Sequence, residues 1–248
     1  LVAVSNGENL FTPVTEQDLK FPVRIIKTKK QFKKFMEILE TKKEVCIDTE
    51  GDNLNKIVNT IFTIQFGFHT KKGIHTYVLP WKHKDFDWDK KDFKFIKKSL
   101  SKYFLETKAE LVFHFAPFDV GQLCVILDLP FFPAKTWDTV ASTFAHDENN
   151  KFLDGIYTVN NGKYKPYSLG ALENRYGIFR PSDILDKDDR ANMARFSLEE
   201  VANYGAFDVV SPLLIKERQI EVCTHKFIGY KSKKDYKNLV IHQLGVMV

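Results

Sequence analysis

Cysteine is scarce: Cys46, Cys124 and Cys223 are the only three among 248 residues, and no two are close enough to form a C-x-x-C pair. That spacing excludes a cysteine-built zinc site and a disulfide-stapled scaffold, and the three read as buried thiols of a reducing compartment. No run approaches 18 consecutive apolar residues, so no membrane-spanning helix is expected. The opening "LVAVSNGENL" has neither a basic region nor a long apolar core and does not read as a signal peptide. A soluble, intracellular protein is the expectation. The first residue is Leu rather than Met, which suggests a processed or excised segment. Internal repeats and low-complexity tracts are also missing, which excludes solenoid architectures.

Aromatic residues, by contrast, are plentiful. There are 22 Phe, and 44% hydrophobic residues with 28% charged ones describe an ordinary globular domain with a sizeable core. The formal net charge is +5, compatible with a polyanionic partner but common without one. Basic residues interleaved with aromatics cluster at 27–34 ("KTKKQFKK"), 90–98 ("KKDFKFIKK") and 226–237 ("KFIGYKSKKDYK"). Such runs either track phosphates or form solvated helix faces. In 90–98 the helical spacing of Phe93 and Ile96 favours an amphipathic helix.

Residues 1–22 show little periodicity and read as an extended N-terminal arm. Phe32, Phe35, Met36 and Leu39 share one face of a helix over 28–41, which leads into a short apolar strand at 44–49. Residues 61–70 and 74–80 form a hairpin around Lys71-Lys72-Gly73. Helices near 89–105 and 117–127 then alternate with strands at 110–115 and 134–139, and a third helix follows. Residues after 150 read as a long loop or hairpin excursion. Ser168 caps a helix that ends near Gly177, and Ser197 with Glu200 forms a capping box for a long helix over 197–222. The pattern describes an α/β protein with a mixed sheet flanked by helices. The main domain is expected over 23–225, with a basic and apolar C-terminal tail at 226–248.

Four acids stand at the edges of segments that should be buried. Asp48 and Glu50 end the first strand and, two residues apart, point to one face. Asp119 opens a helix, and Asp208 lies inside the long helix one turn after Tyr204. Singly, Asp119 could be an N-cap, Tyr204 a core aromatic and Asp208 a surface charge. Clustered carboxylates repel unless a cation lies between them, and an all-oxygen donor set suits Mg²⁺ or Mn²⁺.

The segments "IDTEG" (47–51), "HFAPFD" (114–119), "TWDT" (136–139), "YSLGALENRYGI" (167–178) and "YGAFD" (204–208) resemble, in order and spacing, the motifs of DEDD-type 3′–5′ exonucleases of the ribonuclease H-like fold. The Tyr-x3-Asp form is that of the tyrosine subclass, and the likeness is greatest to the proofreading domain of family A DNA polymerases, phage enzymes included. The resemblance implies two Mg²⁺ or Mn²⁺ ions, the first held by Asp48, Glu50 and Asp208. Asp48 would bridge to the second, and Asp119 would hold that ion through water. Tyr204 would orient the attacking water. Thr49, Leu54, His114, Phe115 and Phe118 would contact substrate, with Leu54 at the position that wedges against the terminal base. Phe115 is a departure, because that position in the family usually carries Asn.

The implied substrate is single-stranded DNA or a frayed primer 3′ end, and the implied partner is a DNA polymerase; residues 226–248 read as a docking or junction segment or, alternatively, as a strand or helix folded back onto the domain. The implied setting is the cytoplasm of a bacterium or phage-infected host cell. An RNA-trimming exonuclease of the same subclass and a non-catalytic nucleic-acid-binding or scaffold module are the alternatives.

Overall fold

A computed structural model describes residues 4–5, 8–9, 13–14, 21–52, 59–146, 159–160, 163–164, 167–180 and 193–224. By compactness the chain divides into two units, each assembled from separate stretches: residues 21–136 with 183–210, and residues 1–20 with 137–182 and 211–248.

The larger unit is built on a sheet whose alternation and apolar runs are legible residue by residue. Two short strands, β1 (Val4–Ser5) and β2 (Glu8–Asn9), pair antiparallel near the N-terminus and belong to the smaller unit. β3 (Val23–Ile25) leads to α1 (Lys29–Leu39), which Thr28 and Gln31 start with a reciprocal capping box. One face of α1 buries Phe32, Phe35, Met36 and Leu39, the four positions expected from the helical period. β4 (Glu44–Gly51), β5 (Ile61–Thr70) and β6 (Gly73–Pro80) follow, with β5 and β6 forming the expected hairpin in the register Thr70↔Gly73.

α2 (Lys90–Glu106) starts at Asp89, whose carboxylate accepts from the Lys91 and Asp92 amides. It buries Ile96, Leu100, Tyr103 and Phe104, so the basic run at 90–98 is the outer face of a packed helix. β7 (Glu110–Phe113) and α3 (Ala116–Leu127) come next. β8 (Thr136–Asp138) then carries the chain into the other unit. The six-stranded sheet has the order β3-β6-β5-β4-β7-β8. β4 runs antiparallel to β5 and parallel to β7, so the sheet is mixed as expected. Central β5 is buried from Ile61 to Phe68, as a strand covered on both faces must be.

In the smaller unit lie α4 (Thr139–His146), the strand pair β9 (Val159–Asn160) and β10 (Lys163–Tyr164), and α5 (Leu169–Tyr176). Ser168 caps α5, and Gly177 closes it in the left-handed conformation. The final helix, α6 (Leu198–Thr224), begins in the larger unit and ends in the smaller one. Ser197 and Glu200 start it: Oγ and the amide of Ser197 both donate to the Glu200 carboxylate, and the Glu200 amide donates back to Ser197 Oγ. No helix among the described residues is long and apolar enough to cross a membrane. Leu54, Cys223's side chain and the tail at 226–248 lie outside what is described.

Candidate active site

Every described acid of interest lies in the larger unit, and β4 supplies two of them. Its alternation sends Asp48 and Glu50 to one face, opposite Gln65 and Thr63 of β5 in the antiparallel register. The register is irregular between Glu50 and Gly51, where the strand ends. α6 brings a third carboxylate, Asp208. Oxygens of Asp48, Glu50 and Asp208 all lie within 4.8 Å of one another, with Asp208 buried and the two strand acids half-buried. Three carboxylates in so small a space repel one another without a counter-charge. Oxygen-only donors, two of them half open to solvent, are what a hard divalent cation takes while it keeps waters of its own. The donor set therefore fits Mg²⁺ or Mn²⁺ and does not fit a thiolate- or imidazole-seeking metal.

Tyr204 lies one helical turn before Asp208 and is 6% exposed. Its ring packs with Phe62, Met193, Val201 and Phe196, so the phenol is held on a fixed stem. Asp119 does not belong to the three-carboxylate cluster. It is 2% exposed, and its Oδ1 accepts from Thr49 Oγ1 at 2.7 Å. Thr49 thus spends its hydroxyl on an acid that the sequence reading placed beside the second ion.

The turn before α3 carries the other named residues. His114 is half-buried at the end of β7, and Phe118 is half-buried in the first turn of α3. Phe115, at the N-cap, adopts φ 65° and ψ 60° and leaves 53% of its surface exposed. A bulky side chain in this left-handed region is uncommon. Leu54 lies outside the described residues.

The start of α6, which aims Tyr204 and Asp208, is pinned to the loop after β6. Asp85 Oδ2 accepts from the Leu198 amide at 3.1 Å, Lys84 Nζ donates to the Arg195 carbonyl, and Lys27 pairs with Glu199 at 2.7 Å. The hydrogen bond from Lys27 holds Glu199 below the usual carboxylate range, and that from Ser197 does the same for Glu200. Neighbouring His83 is depressed chiefly by burial, with the Asp85 charge opposing that shift. None of Asp85, Gln65 or Gly205 was singled out from sequence, although a glycine directly after Tyr204 in a helix interior was a readable oddity.

A family model described as 3'-5' exonuclease, DNA_pol_A_exo1, matches residues 23–218. No curated protein matches in sequence. Among solved structures, the chain resembles Trypanosoma brucei RNase D in complex with RNA U12, at 16% identity and TM-score 0.60, over 91% of this chain and 71% of that one. It also resembles the Aedes aegypti Nibbler EXO domain, at 12% identity and TM-score 0.60, over 88% and 95%. The catalytic core of RRP6 from Trypanosoma brucei matches at 14% identity and TM-score 0.57, over 94% of this chain and 55% of that one. The chain thus spans about half the length of that RRP6 core. At such identities these structures share the fold, and the family match supplies the chemistry. The oxygen-lined cluster is where that chemistry needs its divalent ion, Mg²⁺ or Mn²⁺, and the match over 23–218 makes this chain a member of the DEDD-type 3′–5′ exonuclease family.

Proposed function

We propose that the protein removes nucleotides one at a time from the 3′ end of single-stranded or frayed DNA, as a proofreading nuclease working with a DNA polymerase. The observation that carries this reading is the convergence of Asp48, Glu50 and Asp208 within 4.8 Å, one helical turn from Tyr204. Asp48, Glu50 and Asp208 would hold one ion, and Asp48 together with Asp119, the latter through water, would serve a second. Bound there, the ions would supply a water of lowered pKa and charge stabilisation for the attacking and leaving oxygens of the phosphodiester.

The chain's own residues do the rest. A lone phenol titrates near 10, too high for a strong base at neutral pH, so Tyr204 orients the attacking water by hydrogen bonding. Thr49 holds Asp119 in place, and its own contact with substrate is secondary to that. His114 contacts phosphate or sugar at the end of β7. Phe115 and Phe118 offer ring faces to the terminal bases, and Leu54, outside the described residues, would wedge against the 3′-terminal base by resemblance to the family; such packing is tolerant of base identity. The tail at 226–248 would dock the polymerase or join it, in the cytoplasm of a bacterium or phage-infected cell.

One observation favours a second reading, RNA trimming: the similar RNase D structure is a complex with RNA U12. Incubation of 3′- and 5′-labelled single-stranded DNA and RNA with Mg²⁺ or Mn²⁺ separates the two. Stepwise shortening of DNA from its 3′ end is the expected result. Preference for RNA would replace the first reading with the second, and no metal-dependent shortening of either would overturn both.

A further inference from the structure

Two glycines lie at close approaches between β5 and α6. Gly67 lies on β5 two residues beyond Gln65, on the same face, and Gly205 lies on α6 one turn before Val209. A Cβ added at Gly205 would run into Gln65 Nε2 and lie 2.7 Å from its Cδ and 2.9 Å from its Cγ. A Cβ added at Gly67 would lie 2.9 Å from the Val209 carbonyl oxygen and 3.0 Å from both Cβ and Cγ2 of Val209. The contacts are reciprocal: the strand's side chain fills the space the helix leaves at Gly205, and the helix's side chain fills the space the strand leaves at Gly67. Neither site has slack, because Gln65 is fully buried and its Nε2 donates to Thr63 Oγ1 at 2.7 Å, while Val209 is fully buried.

The register gives this packing a chemical consequence. Gln65 is paired directly with Asp48, and Thr63, which anchors the Gln65 amide, is paired with Glu50. On the helix, Gly205 follows Tyr204 and Val209 follows Asp208. Each close contact is therefore one residue from a site residue on α6; on the sheet, Gln65 lies opposite Asp48, and Gly67 lies opposite Cys46, two residues before Asp48 on the same strand. We infer that the Gln65–Gly205 and Gly67–Val209 contacts set the gap between α6 and the sheet, and so the separation of the Asp208 carboxylate from Asp48 and Glu50. Gln65, Gly67 and Gly205 are positioning residues for the cation site, an inference that rests on the metal-dependent reading above. A helix interior ordinarily prefers alanine to glycine, so Gly205 is kept against local propensity. A displacement of a few tenths of an ångström is felt where ligands must close on a small hard cation, because interiors transmit strain rather than absorb it.

Mn²⁺ binding without nucleic acid, followed by electron paramagnetic resonance, tests this directly, alongside thermal melting of the metal-free protein. Gly205→Ala is expected to weaken Mn²⁺ at least about tenfold, in the range seen when groups supporting metal ligands are removed, and to raise the metal concentration needed for half-maximal hydrolysis in parallel. In Gln65→Ala/Gly205→Ala the three Gln65 atoms that the new Cβ would meet are gone, and Mn²⁺ affinity is expected to return to within about threefold of the parent, since such contacts couple non-additively. Unchanged Mn²⁺ affinity in folded Gly205→Ala would overturn the inference and leave the contact as packing alone. Failure of the double variant to recover would remove Gln65 from it. Absence of Mn²⁺ binding by the unaltered protein would instead sink the nuclease reading itself, a different outcome.

Discussion

The two arms of the site are built to different standards. On the β4–α6 arm, Asp48, Glu50 and Asp208 converge within 4.8 Å, and α6 is packed against neighbouring β5 at two glycines and pinned at its start. On the β7–α3 arm, Asp119 is buried and accepts a hydrogen bond from Thr49, while Phe115 protrudes from a left-handed turn with half its surface in solvent. The first arm resembles a preorganised electrostatic cage, in which tolerance is small because charge is being balanced. The second resembles a surface waiting for something to cover it. The difference separates a tight three-carboxylate cluster on one arm from an exposed aromatic turn on the other.

The strongest way to break this division is to empty the cage. Asp208→Ala or Asp48→Ala is expected to lower metal-dependent hydrolysis by about 10³-fold or more, the upper end of what loss of one electrostatic contact costs. Both variants should melt at the same temperature as the metal-free parent or higher, since one of three repelling carboxylates is gone. Retained hydrolysis in either purified variant would dismantle the cage.

Tyr204→Phe keeps the ring packed against Phe62, Met193 and Val201 and removes only the hydroxyl. A slowing on the order of 10²-fold, with oligonucleotide affinity retained, is expected of a group that orients the water. Equal rates at saturating metal would make Tyr204 a core aromatic.

Thr49→Val probes the joint between the arms. Valine fills the same space and removes the hydrogen bond that Thr49 donates to Asp119. A drop in kcat of about tenfold is expected, as for other groups that orient a metal's partners, together with about 0.5–1.5 kcal/mol of lost stability from the lost hydrogen bond. A full loss of stability without any change in kcat would mean that Asp119 serves the fold and not the reaction.

What sequence alone could reveal follows the same division. The alternation of Asp48 and Glu50, the four-residue step from Tyr204 to Asp208 and the Ser197–Glu200 capping box are local regularities, each readable within one element. The hairpin register and the apolar face of α1 belong to that class too. Gln65 and Gly205 are 140 positions apart, and their meeting depends on how β5 and α6 pack, which no local period encodes. The Thr49–Asp119 bond was hidden for another reason: alternation sends Thr49 away from Asp48, and only the placement of α3 brings Asp119 to it. Strand β7 was expected to run to Phe115 but stops at Phe113, because the left-handed residue turns the chain into α3. Phenylalanine gives no sequence signal for that conformation, whereas asparagine would have.

That mismatch at Phe115 supports the smallest and most discriminating test. Left-handed backbone costs a bulky L-residue about 1–2 kcal/mol, and asparagine adopts it with less penalty. Phe115→Asn should therefore stabilise the metal-free protein by about 1 kcal/mol, a rise in Tm of about 2–4 °C for a chain of this size. Solvent-exposed phenyl surface is removed at the same time, which adds no penalty to the free protein. If the ring stacks on a base of the bound strand, the same substitution removes about 1 kcal/mol or more of binding, and KM for a single-stranded oligonucleotide rises roughly fivefold. Mn²⁺ affinity should not move, because the cage is on the other arm. A stabler variant with unchanged KM would show that the strain at Phe115 serves no substrate contact. A loss of Mn²⁺ affinity would show that the two arms are not separable, and that the turn before α3 is part of the cage.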